Sequence, residues 1–318
     1  MNWFPSATIA LLHQRAELIA RIRHFFAERQ VLEVETPLLS HFTVTDPHVI
    51  GIPAIFKSIG STQEKIMYLQ TSPEYAMKRL LAAGSGPIYQ ITKAFRQGEV
   101  GRFHNPEFSM LEWYRPGFDH HALMDEMDAL LQLTLNTLPA ERLSYAHVFE
   151  KYTEIDPHRA TLGELEDHLQ KRNIIYEKTD RNTCLDLLLT HCIEPQIGRE
   201  CPIFLYDFPA SQAALAKVRA EDPPVASRFE VYFKGIELAN GFHELQDANE
   251  QRKRFENDLA YRAEHGIAVV PVDEFFLAAL NAGIPDSAGV AVGIDRLVML
   301  ALEQEKITTI LSFDFARA

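Results

Sequence analysis

The chain has 318 residues, 47% of them apolar, and a formal net charge of −13, which fits one large mixed α/β domain with a helical insertion better than two equal domains. The acidic balance argues against broad nucleic-acid binding, which relies on Lys and Arg to neutralise phosphates. No apolar stretch approaches the ~20 residues that span a bilayer, and no repeat period or low-complexity tract is visible.

Smaller features add to these exclusions. The word M-N-W-F-P-S lacks the basic and apolar regions of a secretory leader. Cys184, Cys192 and Cys201 form no C-x-x-C pair, and with His191 they match no common zinc spacing. They read as reduced thiols of a cytoplasmic protein. Arg252-Lys253-Arg254 lies among Glu and Asp and reads as a solvated helix face.

In chain order, Ser6 is placed to cap a helix running to about Arg29, with Ile9, Leu12, Ala16, Ile19, Ile22 and Phe26 at helical spacing. Val31 to Val34 alternates like a strand that Thr36-Pro37 ends. A short strand from Tyr68 leads into a helix opened by Thr71-Ser72-Pro73-Glu74, where Thr71 and Glu74 are spaced as a capping box. Ile88 to Phe95 and a segment through Phe108 to Tyr114 read as two strands around a Gly-containing turn. Residues 119–200 read as helices and loops without a chemical motif, a helical insertion. Cys201 to Phe208 and Phe229 to Ala239 return to strands. Asp247 to Glu264 and Glu274 to Asn281 read as helices, and Ala288 to Gly293 as a last strand feeding a helix near Ile294. Strands joined by hairpins rather than by βαβ crossovers predict an α+β fold, an antiparallel sheet flanked by helices.

The word R-F-E-V-Y-F-K-G-I-E-L-A-N-G-F-H-E-L carries the first chemical signal. With Lys234-Gly235 at a two-residue hairpin tip, Tyr232 faces Glu237, and alternation puts Glu230 on the same face as a diagonal neighbour. Such a carboxylate pair reads equally as a solvent-facing strand surface or as a Mg²⁺ site completed by phosphates. Asn240-Gly241 is expected to turn the chain, and Glu244 follows seven residues after Glu237. Arg96 before a Gly-containing loop and Arg296 in the first turn of a helix are each placed to stabilise phosphoryl charge, although alone either reads more readily as a surface ion-pair partner.

Three stretches bind these signals together: V-L-E-V-E-T-P (Val31 to Pro37), F-R-Q-G-E-V-G-R-F-H-N-P-E-F (Phe95 to Phe108) and G-V-A-V-G-I-D-R (Gly289 to Arg296). In this order they resemble motifs 1, 2 and 3 of class II aminoacyl-tRNA synthetases, and the words between them resemble lysyl-tRNA synthetases. The resemblance implies a class II synthetase-like fold that activates a carboxylic acid with ATP and Mg²⁺. It implies Arg96 on the α-phosphate and Arg296 on the γ-phosphate. Gln97, Gly98, Glu99, His104 and Asn105 are then expected around the phosphates and nucleotide, with Phe108 stacked on adenine. Leu238 and Gly293 are expected in the nucleotide pocket, and Glu230 and Glu237 at ATP and Mg²⁺. By the same resemblance Glu74 holds the substrate's near amine with Ser72 and Pro73 at the substrate beside it, Glu112 and Tyr114 line the lysine pocket, and Glu244 with Tyr114 takes the far amine. Burying an ammonium or a carboxylate alone costs several kcal/mol, so this acidic set points to a diamino acid. Motif 1 implies a homodimer.

Two positions depart from the lysyl pattern. Gly98 stands where motif 2 has Glu, with Glu99 one residue later, and Ala291 replaces the middle glycine of motif 3. About thirty residues precede motif 1, where lysyl enzymes carry an anticodon-binding barrel, so the expectation is a single catalytic domain over residues 1–318 with no anticodon-binding domain. T-S-P-E-Y, H-N-P-E-F-S-M-L-E-W-Y-R-P, F-P-A-S-Q-A-A-L-A and F-K-G-I-E-L-A-N-G-F-H-E-L resemble truncated lysyl-synthetase paralogues. Those activate (R)-β-lysine and transfer it to a lysine ε-amine of elongation factor P. The alternatives are a truncated enzyme charging tRNA, an inactive regulatory module and an asparagine-synthetase-like amidating ligase. The missing barrel and acidic charge weigh against tRNA. Intact Arg96, Glu237 and Arg296 weigh against an inactive module, and two amine sites against the amidating ligase.

Overall fold

The structure, a computed structural model, describes residues 3–177 and 180–318. Met1 and Asn2 of the N-terminal word, and residues 178–179 of the expected insertion, lie outside the described residues.

The chain opens with helix α1 (Ile9–Glu28) and the short strands β1 (Leu32–Glu33) and β2 (Leu39–Ser40). Next come β3 (Ile52–Lys57), β4 (Glu64–Leu69), α2 (Glu74–Ala82), β5 (Ile88–Phe95) and β6 (Glu107–Pro116). Then follow α3 (His120–Leu135), β7 (Glu141–Ser144), α4 (Tyr145–Thr153), α5 (Leu162–Lys171) and α6 (Arg181–Leu188). A π turn (Leu189–Ile193) and a 3-10 turn (Glu194–Gln196) lead to β8 (Ile203–Pro209), β9 (Val218–Arg219), β10 (Val225–Phe233) and β11 (Ile236–His243). The chain continues through α7 (Ala248–Glu264), α8 (Glu274–Ala282), β12 (Ser287–Gly293) and α9 (Ile294–Ala301). Two compact units result: residues 1–117, 246–287 and 291–318 form one, residues 118–245 and 288–290 the other.

In the first unit the strand order is β1-β5-β6-β12. β5 and β6 are antiparallel from Ile88↔Tyr114 to Phe95↔Glu107, and β1 runs parallel to β5. The strand expected over Val31 to Val34 is ladder-paired only at Leu32 and Glu33. A separate antiparallel sheet, β2-β4-β3, was foreseen only from Tyr68 onward. Pro53 and the exposed faces of β3 and β4 leave little alternation to read there. Helix α1 buries Leu18, Ile22, Phe25 and Phe26, and Phe26 stacks on Tyr89 of β5 at 4.4 Å.

Two capping expectations are corrected. The cap of α1 is Thr8, whose side chain accepts from the Leu11 N–H, while Ser6 accepts from the Asp314 N–H. The Thr71–Glu74 capping box does not form, because α2 begins at Glu74 with Pro73 as its N-cap. Ser72 Oγ accepts the Glu74 N–H instead, at 3.1 Å. Asp247 and Asp273 cap α7 and α8, each accepting from the backbone of the first turn.

In the second unit the order is β11-β10-β8-β7, with β9 on β10. These pairs are antiparallel except β7–β8. The expected insertion is therefore not helical throughout: β7 lies within it and pairs with β8. Its helices α4 to α6 close over Tyr145, Phe149, Leu165, Leu185 and Leu188, packed with Phe208 and Ile203 of β8. Both units are mostly antiparallel sheet flanked by helices, as the α+β expectation requires.

The hairpin register agrees at the tip, Phe233↔Ile236 and Tyr232↔Glu237, but a bulge follows and Glu230 pairs with Asn240. Asn240-Gly241 does not turn the chain; β11 runs through it to His243. Gly241 has a different reason to be glycine: a Cβ there would lie 2.4 Å from Phe229 Cζ on the opposing strand. Gly241→Ala is therefore expected to destabilise by about 1–3 kcal/mol through overpacking. Urea unfolding checks this, and Phe229→Leu in the same chain should restore at least half of the loss.

Candidate active site

In the first unit β5 and β6 present Gln90, Thr92 and Ala94 opposite Glu112, Met110 and Phe108, and alternation keeps these on one face. Arg96 extends that face just beyond β5. Its guanidinium lies 5.1 Å from the Phe108 ring centroid and 3.6 Å from Glu99 Oε1. Its Nε is buried with no hydrogen-bond partner among the described residues, so donor capacity remains for an anion. Phe108 thus braces Arg96 by a cation–π contact.

The departure at Gly98 has a backbone cause. Its φ is +82°, a region costly for side chains with a Cβ. A Glu there would be strained, and Glu99 carries the acid instead. Gln97 is tied by its N–H to Ile50 O at 2.8 Å.

Arg296 opens α9 and donates through Nη2 to His104 Nε2 at 2.6 Å and through Nε to Phe103 O at 3.3 Å. Burial, and then the Arg296 charge, lowers the His104 pKa. The ring is therefore neutral, with Nε2 accepting and the proton on Nδ1. Gly293 lies beside Arg296: a Cβ there would be 3.7 Å from Arg296 Cδ. Ala291 shares the Gly293 face of β12 by alternation.

Asn105 is bonded within the protein. Its Nδ2 donates to Glu107 O and its Oδ1 accepts from the Phe315 N–H, so both amide ends are engaged inside the protein. It lines a cavity of about 720 Å³ with Arg15, Lys93, Glu107 and the last residues of the chain. Lys93 and Glu107 are on the face of β5–β6 opposite Glu112, so Asn105's side chain does not join Arg96.

The amino-acid end is tightly knit. Glu112 is 2% exposed and accepts from Tyr114 Oη at 2.6 Å and Ser72 Oγ at 2.8 Å. Its pKa is pushed up to about 7 by burial and then by the Glu74 charge, against those two hydrogen bonds and the Lys78 charge. Glu74, at the first position of α2, pairs through Oε1 with Lys78 Nζ at 2.6 Å. Ser72, Pro73, Glu74, Glu112 and Tyr114 are thus brought together as expected.

In the second unit Glu230 is buried and both its oxygens are engaged. Arg228 pairs with Oε1, and Tyr232 Oη donates to Oε2 at 2.5 Å. The expectation of two carboxylates without a fixed cation is therefore corrected by Arg228. Burial raises the Glu230 pKa; the Arg228 charge opposes this and the Glu237 charge adds to it. Glu194 joins this cluster, pushed up to about 7 by burial and then by Glu237 and Glu230. Leu238, 2% exposed, packs in the core, which leaves only its backbone for a ligand. Glu244 is 1% exposed and its backbone bridges Ala216. Among the described residues no three His, Cys, Asp or Glu side chains form a closed metal cage. Carboxylate oxygens suit Mg²⁺, which is commonly held by one or two carboxylates plus substrate phosphates, and Glu230 would exchange its Tyr232 or Arg228 bond to join Glu237 there.

Several functional neighbours were missed in the sequence. Lys78, at i+4 from Glu74, and Arg228, at i+2 on the Glu230 face, had a readable spacing. Glu194, and the bonds of Asp295 to Arg15 (2.6 Å) and to the Ser109 N–H (2.8 Å), depend on tertiary contacts with no local signal. Asp295 thereby fixes the residue beside Arg296 to α1 and β6.

A mostly antiparallel sheet flanked by helices is the fold of a synthetase-type core. Residues 3–316 match the family model of class II tRNA synthetases (D, K and N), and the chain belongs to that family. It is also similar over its full length to individual curated proteins. An elongation factor P--(R)-beta-lysine ligase of Vibrio cholerae is 56% identical, covering 100% of this chain and 99% of the relative. Proteins of the same name from Edwardsiella ictaluri and Erwinia tasmaniensis are 52% and 53% identical, covering 100% and 99% of this chain and 98% of each relative.

The elevated Glu112 pKa has a stability consequence of definite sign. The folded state holds this proton up to about pH 7, the unfolded chain only to about 4.5, so the folded state binds more protons in that window. Stability contributed by Glu112 therefore falls as pH rises through it and is level above. The stability difference between wild type and Glu112→Gln, from urea unfolding, should shift against wild type from pH 4.5 to 7. A pH-independent difference would contradict this placement.

Proposed function

We propose that this chain is an ATP-dependent ligase that activates (R)-β-lysine as its adenylate and transfers it to a lysine ε-amine of elongation factor P. The observation that carries the reading is an acid pair at one sheet end, buried Glu112 held by Ser72 and Tyr114 beside partly exposed Glu74. The full-length relatives named for this ligation support it. A buried acid beside a partly buried one suits a substrate that supplies ammonium groups.

In the first step a substrate carboxylate oxygen attacks the α-phosphorus of ATP, and the bond to pyrophosphate breaks. Arg96, braced by Phe108, meets charge on the nonbridging oxygens. Arg296, held by neutral His104, meets charge on the departing polyphosphate. Both guanidiniums are set before reaction, so little reorganisation is needed as charge develops. Glu237 with Glu230 would hold Mg²⁺, which when bound supplies charge neutralisation at the phosphates. In the second step the neutral ε-amine of the acceptor lysine attacks the adenylate carbonyl; AMP leaves, an amide forms and the amine loses a proton. Glu74 and Glu112 hold the substrate's amines throughout, with Glu244 the third acid assigned to the far amine.

In this reading the protein is a cytoplasmic homodimer with a single catalytic domain that does not use tRNA. No helix among the described residues is long and apolar enough to cross a membrane. Exposed Leu32, Ile55 and Ile66 offer apolar surface for a second copy.

Incubation with ATP, Mg²⁺, either lysine isomer and either elongation factor P or tRNA, read by mass spectrometry, tests the reading. Addition of one β-lysyl group to the protein is expected, and labelling of tRNA alone would contradict it. Arg96→Ala should lower amino-acid-dependent ATP–pyrophosphate exchange by about 10²- to 10³-fold, as for loss of one preorganised charge donor. Ala291→Gly, by removing a methyl from the substrate-facing strand, should raise α-lysine activation relative to β-lysine. An unchanged isomer ratio in that exchange assay counts against a selective role for Ala291.

A further inference from the structure

Lys78 is 1% exposed, with its Nζ 2.6 Å from Glu74 Oε1, while the Glu74 side chain is 14% exposed. The burial gradient places the ammonium behind the carboxylate, on the inner side of α2. There it lies 5.8 Å from the ring centroid of Phe276 on α8, which itself stacks on Tyr75 at 4.6 Å. A lysine is seldom fully buried unless paired, and a buried ion pair is often no more stabilising than apolar residues of the same volume. Folding alone gives little reason for an ammonium here. The local charges give one. Glu74 and Glu112 are two acids against one fixed cation, so one further ammonium near Glu74 brings the group to neutrality.

We propose that Lys78 is a positioning residue for the amino-acid substrate, holding Glu74 by Oε1 so that Oε2 is presented to the substrate's near amine. Its head group sets where that amine comes to rest relative to the reacting carboxylate. This deepens the proposed function and rests on it. In this role Lys78 touches neither the substrate nor the reacting atoms and acts through Glu74, while its charge also lowers the Glu112 pKa.

A substrate cycle tests the role. 6-Aminohexanoate keeps the carboxylate and the far amine of lysine and lacks the near amine of either isomer. In Lys78→Met the KM and calorimetric Kd for β-lysine should rise by about 10- to 100-fold, the usual effect of losing a charge-assisted partner. The KM for ATP and the Ki of 6-aminohexanoate should move by less than about threefold. Lys78→Arg, which retains the charge, should recover part of the loss. Lys78→Gln, which retains a donor without charge, provides the same comparison where the Met variant fails to fold. Equal weakening of both amino compounds would assign Lys78 a merely structural role, and no change in either would remove it from the site; both outcomes overturn the proposal. A wild type that binds a diamino acid without activating it contradicts the proposed function and leaves the Lys78 comparison readable. A wild type that binds no diamino acid overturns both.

Discussion

Glu112 is a carboxylate only 2% exposed, and the side chains proposed to hold the amino acid are arranged around that fact. Desolvating a charge is costly unless hydrogen bonds and opposite charge compensate it. Tyr114 and Ser72 each donate to it, and Lys78 adds positive charge nearby. Compensation is incomplete, since burial and Glu74 still push the carboxyl up to about 7. The free protein thus keeps an electrostatic deficit at this spot, which an incoming ammonium can relieve. Substrate selection and fold share one interaction: β6 carries Glu112 and Tyr114, and the turn before α2 carries Ser72 and Glu74.

The side proposed to face the phosphates follows a different logic. Arg96 and Arg296 are each held by a neighbouring ring. Phe108 braces Arg96 through its ring, and His104, held neutral, accepts from Arg296. The Arg15–Asp295–Ser109 contacts set the start of α9, where Arg296 begins. A guanidinium held by a ring or a neutral acceptor keeps its full charge for an anion. One tied to a carboxylate at close range would not, and the Arg96–Glu99 contact is long at 3.6 Å. The left-handed Gly98 belongs to the same arrangement, moving the acid of motif 2 one residue away from its usual place.

Much of this was legible in the chain because it is local. Helices α7 to α9, strands β5, β6 and β12 and the tip of the β10–β11 hairpin follow from periodicity, caps and turn residues. The grouping of Ser72 and Glu74 with Glu112 and Tyr114 followed from resemblance to lysyl enzymes, and the structure brings those side chains together. What failed is what tertiary contacts decide. Gly241 looked like a turn glycine and is a packing glycine under Phe229. Asn105 looked like a nucleotide contact and is spent on Glu107 and Phe315. Strand β7 hides in a segment whose neighbours are helical, and it is a strand because β8 is there to pair with it. Glu230 looked unpaired because Arg228, two residues away, was not counted as its partner.

The central claim is that the substrate's ammonium relieves the desolvated charge of Glu112. The most direct measurement is the proton balance of amino-acid binding, from calorimetry near pH 6.5 in buffers of different ionisation enthalpy. The account predicts net proton release when β-lysine binds wild type, because an adjacent ammonium favours the ionised carboxylate, and markedly less release in Glu112→Gln. Binding with no proton exchange, or with equal release in both proteins, would contradict it.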